Sequence, residues 1–230
     1  MKTNLLKGLS VLFLGVVLAG CSASGSSDKS GSKKATQEPT KIEFAKNAQS
    51  SRQQLWYRVR NDEDGFGKSS TVDDVYVIKN GKITTYTTNF DLSDLDKKED
   101  NQIVDLAKKE DKKMFKRLVK SENPEATYSE PKPEKLKLSA VTDNSGNNIS
   151  SEQFDMHDIT YNEVNRTYTS VELEAPLQNT FPILSKYYTG YTNEDNDEYL
   201  VTTVSKKNHE KVTVSMDKPS TKGIKVDDDD

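Results

Sequence analysis

The chain has 230 residues, of which 32% are hydrophobic and 30% charged, against about 45–50% and about 25% in ordinary soluble domains. Twelve of the apolar side chains fall within residues 1–20, so the rest of the chain holds enough for one modest core. No second apolar run approaches the ~20 residues of a membrane-crossing helix, which excludes a multi-pass membrane protein. Eleven glycines and a single cysteine exclude a collagen-like or disulfide-stapled chain.

Residues 1–20 have the parts of a secretory signal. Lys2 and Lys7 supply a positive first region, Leu9 to Leu18 a short apolar run, and Ala19 and Gly20 a small-residue end directly before Cys21. The tetrapeptide Leu18-Ala19-Gly20-Cys21 resembles the lipobox of bacterial membrane lipoproteins of the Gram-positive type. That resemblance implies cleavage between Gly20 and Cys21 and a diacylglyceryl anchor, with chains such as palmitate, on the Cys21 thiol. It also implies a cell-membrane location with the chain facing the extracytoplasmic side. Two acyl chains, at ~0.8 kcal/mol per buried methylene, hold a protein at a membrane without a spanning helix. The apolar run is short for spanning, and Ser22-Ala23-Ser24-Gly25 follows in place of a basic stop-transfer flank.

Because Cys21 is the only cysteine, neither an intramolecular disulfide nor a thiolate metal site is expected. Removing residues 1–20 takes away two lysines and makes the net charge of −4 two units more negative. A net acidic surface argues against nucleic acid as a partner.

Residues 21–40 are the lipidated cysteine and a Ser/Gly/Lys tether without apolar periodicity. A flexible segment of that length has a root-mean-square span of about 25 Å. One folded domain is expected over residues 41–226, with the proline-bearing stretch 121–135 as its only candidate subdivision, before an acidic tail at 227–230. Leu55 to Arg60 has strand composition. Val75 to Lys79 and Lys82 to Thr87 flank Asn80-Gly81, the pair that tolerates the positive φ angles of a type I′ hairpin turn.

Over residues 92–120 the period becomes helical. Leu92, Ile103, Ala107, Met114 and Leu118 share one face, with Leu95, Val104, Leu106 and Phe115 on its shoulders. Glu110 also falls on that stripe and residues 96–102 are polar, so the segment reads as one long helix or two shorter ones. Strand signals return at Leu136 to Ala140, Tyr168 to Leu173 and Tyr199 to Val204, the last predicted to form a hairpin with Val212 to Met216. Seven or eight short strands and one main amphipathic helix define an α+β fold with a mostly antiparallel sheet. The strand count also admits a small calycin-like barrel.

Motifs for catalysis and metal binding are incomplete. His209-Glu210 begins like a zinc-protease helix, but Thr213 stands where the second histidine belongs. Asp155 and His157 would share one strand face, with Asp158 beside them. Gly67-Lys68-Ser69 imitates the end of a phosphate loop, yet Asp62 occupies its first glycine position. Asp62-Glu63-Asp64-Gly65 puts Arg60 and Thr71 at calcium-ligand positions, and residues 193–198 offer oxygen ligands for at most a weak calcium site. No catalytic residue, cofactor or firm metal site is assigned.

The aromatic residues Trp56, Tyr187, Tyr188 and Tyr191 are the candidates for ligand or partner contact, since tyrosine joins an apolar ring to a polar tip. The expectation is a lipid-anchored, non-enzymatic extracytoplasmic domain that binds a cell-envelope or protein partner. A small-molecule carrier with a β-barrel pocket and an envelope hydrolase are the alternatives.

Overall fold

Among the described residues, short extended segments alternate with tight turns, and one long amphipathic helix interrupts them between residues 100 and 115. The structure, a computed structural model, describes residues 40–60, 65–160, 163–193 and 197–227. The expected signal segment 1–20, Cys21, the expected tether up to residue 39, Asp62 to Asp64 and residues 228–230 lie outside the described residues.

In chain order the elements are β1 (Lys41–Ile42), α1 (Phe44–Ala48), β2 (Gln54–Arg60), β3 (Thr71–Lys79), β4 (Lys82–Asp91) and α2 (Asp100–Phe115). Then come β5 (Glu134–Lys135), β6 (Lys137–Thr142), β7 (Ile149–Asp158), β8 (Thr167–Leu173), β9 (Ala175–Pro176), β10 (Phe181–Ile183), β11 (Lys186–Asn193), β12 (Glu198–Val204), β13 (Thr213–Val214) and β14 (Ile224–Asp227). The main sheet has the order β10-β11-β12-β2-β3-β4-β5, with β9 alongside β11, and a second sheet has the order β14-β6-β7-β8. Apart from the parallel pairs β1–β13 and β6–β14, every pairing is antiparallel. The fold is therefore α+β and mostly antiparallel, as the sequence pattern predicts.

Three layers result from the period-two alternation of the main sheet. One face presents Trp56, Tyr76, Ile78, Ile83 and Leu200 to Phe154, Met156, Val171 and Leu173 of the second sheet. The other presents Leu55, Tyr57, Val75, Tyr86 and Val201 to Ile103 and Ala107 of α2. A third cluster, Met114, Phe115, Val119, Ala126 and Ile159, closes the end where α2 runs past the sheet.

Both sheets are open, so the calycin-like barrel is not formed. The space between them is filled by packed rings, with Phe44 stacked on Phe154 at 5.0 Å and edge-on to Trp56 at 5.1 Å. A carrier built around a barrel interior loses its cavity on that account.

Asn80 and Gly81 have φ values of 53° and 67°, and the β3–β4 hairpin closes as the Asn-Gly pair predicts. Gly190 has a packing cause: a Cβ there would lie 2.0 Å from the Leu200 carbonyl oxygen on β12. The 92–120 segment resolves into two parts. A 3₁₀ turn over Leu92–Leu95 precedes α2, and α2 continues as a single π turn over Lys116–Lys120. Asp91 donates its backbone N–H to Asp94, and Glu99 donates its own to the Gln102 side chain 2.9 Å away, so each start is capped.

The predicted hairpin of Tyr199–Val204 with Val212–Met216 is overturned. Val214 and Thr213 pair in parallel with β1, because a 3₁₀ turn at His209–Lys211 carries the chain away from β12.

The return of the chain past β1 matters because it brings Asp217 under α1. Asp217 accepts the N–H groups of Ala45 (2.7 Å) and Lys46 (3.0 Å), and the Tyr191 hydroxyl accepts that of Phe44 (3.1 Å). The first turn of this short helix is thus satisfied by side chains remote in sequence. Asp217 donates its own N–H to Glu152 on β7 (2.6 Å), and both carboxyl groups are buried.

Burial pushes the Glu152 carboxyl up to about 8 against the opposing hydrogen bond from Asp217, and the charges of Asp217 and Glu43 add to the rise. Since the unfolded carboxyl titrates near 4.5, this group's favourable contribution is complete below that pH and is lost as pH rises toward 8. Glu152→Gln should therefore melt higher than wild type at pH 8, by about 2 kcal/mol or more, and should differ little at pH 4.5. Thermal denaturation across pH 4–9 measures this.

Candidate binding cleft

The outer edge of β4 is covered by strand only at Lys82 and Ile83, where β5 pairs with it. From Thr84 onward the exposed ladder groups need another partner. Asp111, fully buried on α2, supplies one by accepting the Thr87 N–H at 2.9 Å. The same carboxylate accepts the Tyr128 hydroxyl at 2.8 Å and a hydrogen bond from Arg166 Nη2. Burial, with the Asp111 hydrogen bond next, raises the Tyr128 hydroxyl well above its ordinary value.

Thr87 also donates its hydroxyl to Asp158 at the end of β7. One residue of β4 therefore joins the main sheet to the helix and to the second sheet.

Beside this junction lies a cleft of about 460 Å³ between the 127–134 connector, the end of β7 and the 163–166 loop. Phe115, Val119, Pro131, Pro133, Ile159 and Val164 form its apolar wall. Thr85 and Arg166 line it, and each carries one buried polar atom, Oγ1 and Nη1, without a hydrogen-bond partner. Of the charged groups on the rim, Glu130 is paired with Lys108 (3.0 Å) and Glu134 with His157 Nδ1 (2.8 Å). Lys132 and Glu163 have no ion-pair partner among the described residues.

Behind the cleft a buried ion cluster braces the two sheets. Arg58 reaches Asp74 at 2.5 Å, Glu198 at 2.8 Å and Asp158 at 3.6 Å. Burial, and then the charge of Asp74, push the Asp158 carboxyl up to about 7.

The predicted contact residues are placed differently from the expectation. Trp56, Tyr188 and Tyr191 are core side chains, with Trp56 1% exposed, so none of the three offers a surface to a partner. Tyr187 is half-buried and stacks on His209 at 3.9 Å. The accessible part of that aromatic region is instead Phe181 and Leu184. Leu184 is 58% exposed at φ 53°, in the two-residue turn between β10 and β11.

Asp155 and His157 do share the outer face of the second sheet, as predicted, but Asp155 is bound to Tyr168 and Ser170. Asp158 points the opposite way into the interior, so the three do not converge. Gly67 to Ser70 is a turn closed by Ser70. Of the candidate calcium run 193–198, residues 194–196 lie outside the described residues, and Glu198 is committed to Arg58. No cluster of three or more potential metal ligands occurs among the described residues.

Thr85, Asp111 and Arg166 were not singled out by the sequence pattern. For Asp111 a signal exists: it stands four residues after Ala107 and three before Met114, a polar residue on the apolar stripe. Thr85 and Arg166 carry no comparable mark. Comparison with protein-family models, curated proteins and solved structures finds no match to this chain.

Asp111→Ala would leave the Thr87 N–H, the Tyr128 hydroxyl and the Arg166 guanidinium without their acceptor. The expected loss is about 3–5 kcal/mol, read as a lower urea midpoint. Asp111→Asn, which keeps one acceptor oxygen, should lose less.

Proposed function

We propose that the chain is a lipoprotein held on the extracytoplasmic face of a bacterial membrane by a diacylglyceryl group on Cys21, and that its folded unit is a non-enzymatic binding module for a cell-envelope or protein partner. The observation that carries the reading is Leu18-Ala19-Gly20-Cys21 directly behind a short apolar run. The binding role is supported by the cleft, which combines an apolar wall with unpaired polar atoms, the composition usual for ligand sites. Cells fed an alkyne-tagged palmitate should label the wild-type chain and not Cys21→Ala. The wild type should sediment with membranes, and the variant should retain its leader. Equal labelling of both chains overturns the anchor.

A second reading, an envelope hydrolase, is favoured by one observation: the His157–Glu134 pair lies in the same cleft as Ser129. An acyl-transfer serine needs a base within hydrogen-bond reach, and no hydrogen bond joins Ser129 to His157 among the described residues. The binding reading expects a fluorophosphonate probe to leave the protein unlabelled. Stoichiometric labelling that Ser129→Ala abolishes would replace it with the hydrolase.

A further inference from the structure

Thr85 is 2% exposed and its hydroxyl has no partner. Arg166 gives Nη2 to Asp111, while Nη1 on the other side of the guanidinium is buried and unpaired. An unsatisfied buried polar atom costs ~1–3 kcal/mol, and native interiors keep few of them. Here two occur on residues that line one cleft, one an N–H donor and one a hydroxyl.

The remaining features of the cleft narrow the chemistry of that oxygen. Glu130 is paired with Lys108, and Glu134 is hydrogen-bonded to His157 Nδ1. The charge of Arg166 is shared with Asp111 through Nη2, and Lys132 stands against Glu163, so the cleft has no excess of positive charge for a doubly charged group. Three carboxylates around the rim disfavour a doubly charged phosphate. A guanidinium N–H and a hydroxyl lining one cleft match the oxygens of a carboxylate. The six apolar wall residues require the group to be carried on an apolar body, and about 460 Å³ is within the range of small-ligand sites.

We infer that this cleft binds a monocarboxylate borne on an apolar body, its carboxylate held by Arg166 Nη1 and Thr85 Oγ1 and its chain against Phe115, Val119, Ile159 and Val164. The inference rests on the reading of the folded unit as a binding module and gives that module its ligand class. An acyl chain and a peptide ending in an apolar residue both present this chemistry.

The test is equilibrium dialysis of the full chain with radiolabelled N-acetyl-leucine, its uncharged amide, and hexanoate. N-acetyl-leucine should bind saturably at one site and at least tenfold more tightly than the amide. Hexanoate binding as tightly as N-acetyl-leucine marks the acyl source, and hexanoate binding tenfold weaker marks the peptide source. Both results support the site.

Thr85→Val should weaken the acid about five- to tenfold and leave the amide unchanged. Because the substitution removes an unpaired hydroxyl at nearly constant volume, its melting temperature should not fall, which separates lost binding from lost fold. Thr85→Ser should retain the affinity. Equal binding of acid and amide, or wild-type affinity in Thr85→Val, overturns the carboxylate assignment while a binding cleft stands. Absence of saturable binding by all three probes overturns the inference itself and leaves the lipid-labelling result on Cys21 as it is.

Discussion

The structure depends on a positive charge that is largely withdrawn from solvent. Arg58 lies on the face of the main sheet that meets the second sheet, where an unpaired guanidinium could not be accommodated. Asp74 from β3, Glu198 from β12 and Asp158 from β7 surround it, so one side chain draws three strands of two sheets together. Three carboxylates around one cation leave an excess of negative charge. The rise of the Asp158 carboxyl toward 7 relieves that excess, because a protonated or shared carboxyl still donates or accepts within the cluster. Thr87 completes the arrangement through its bond to Asp158. The cluster and the helix-bound edge of β4 are therefore one connected network.

The cleft is a consequence of how that edge is finished. A strand whose partner stops after two residues needs cover, and α2 covers β4 with a single carboxylate in place of a ladder. A carboxylate caps one N–H, whereas a strand would cap several, so space remains beyond it. The 127–134 connector and the 163–166 loop border that space without filling it. Prolines at 131 and 133 keep the connector extended and leave those two positions without N–H donors. The unpaired atoms thus sit where regular pairing has ended.

Much of the fold was legible because it follows local rules. Asn80-Gly81 between two β-branched runs has one economical geometry, and the stripe of Ile103, Ala107 and Met114 has one period. What escaped was written in residues whose meaning depends on distant partners. Strand β7 buries Glu152, Phe154, Met156 and Asp158 in strict alternation, but two of the four are carboxylates, so the alternation does not read as apolar. Asp73 and Asp74 are consecutive on β3, which in a regular strand would send one of them to each face. A bulge at this point matches Asp74 to Arg58 while Asp73 pairs with Arg60. The parallel pairing of β13 with β1 joins the two ends of the domain, and no local pattern encodes it. The aromatic residues misled for a related reason. In a chain with so little apolar surface the large rings are needed inside, and Trp56, Tyr188 and Tyr191 are spent on the core.

The polar interior also bears on why the chain settles on one arrangement of so many short strands. A buried ion cluster adds little net stability compared with apolar residues of the same volume. Its effect is on alternatives. Slipping β2 by one residue against β3 would turn Arg58 to the helix side and strand Asp74, Asp158 and Glu198 without a cation. A comparable slip of β7 would expose Phe154 and Met156 and take Glu152 from the Asp217 N–H, so the residue that caps the first turn of α1 would lose its tie to the second sheet. The β2 slip carries the cost of uncompensated buried charge, several kcal/mol, and the β7 slip that of exposed apolar side chains. A core of leucines would penalise the same slips far less. Register here is enforced by what cannot be buried alone.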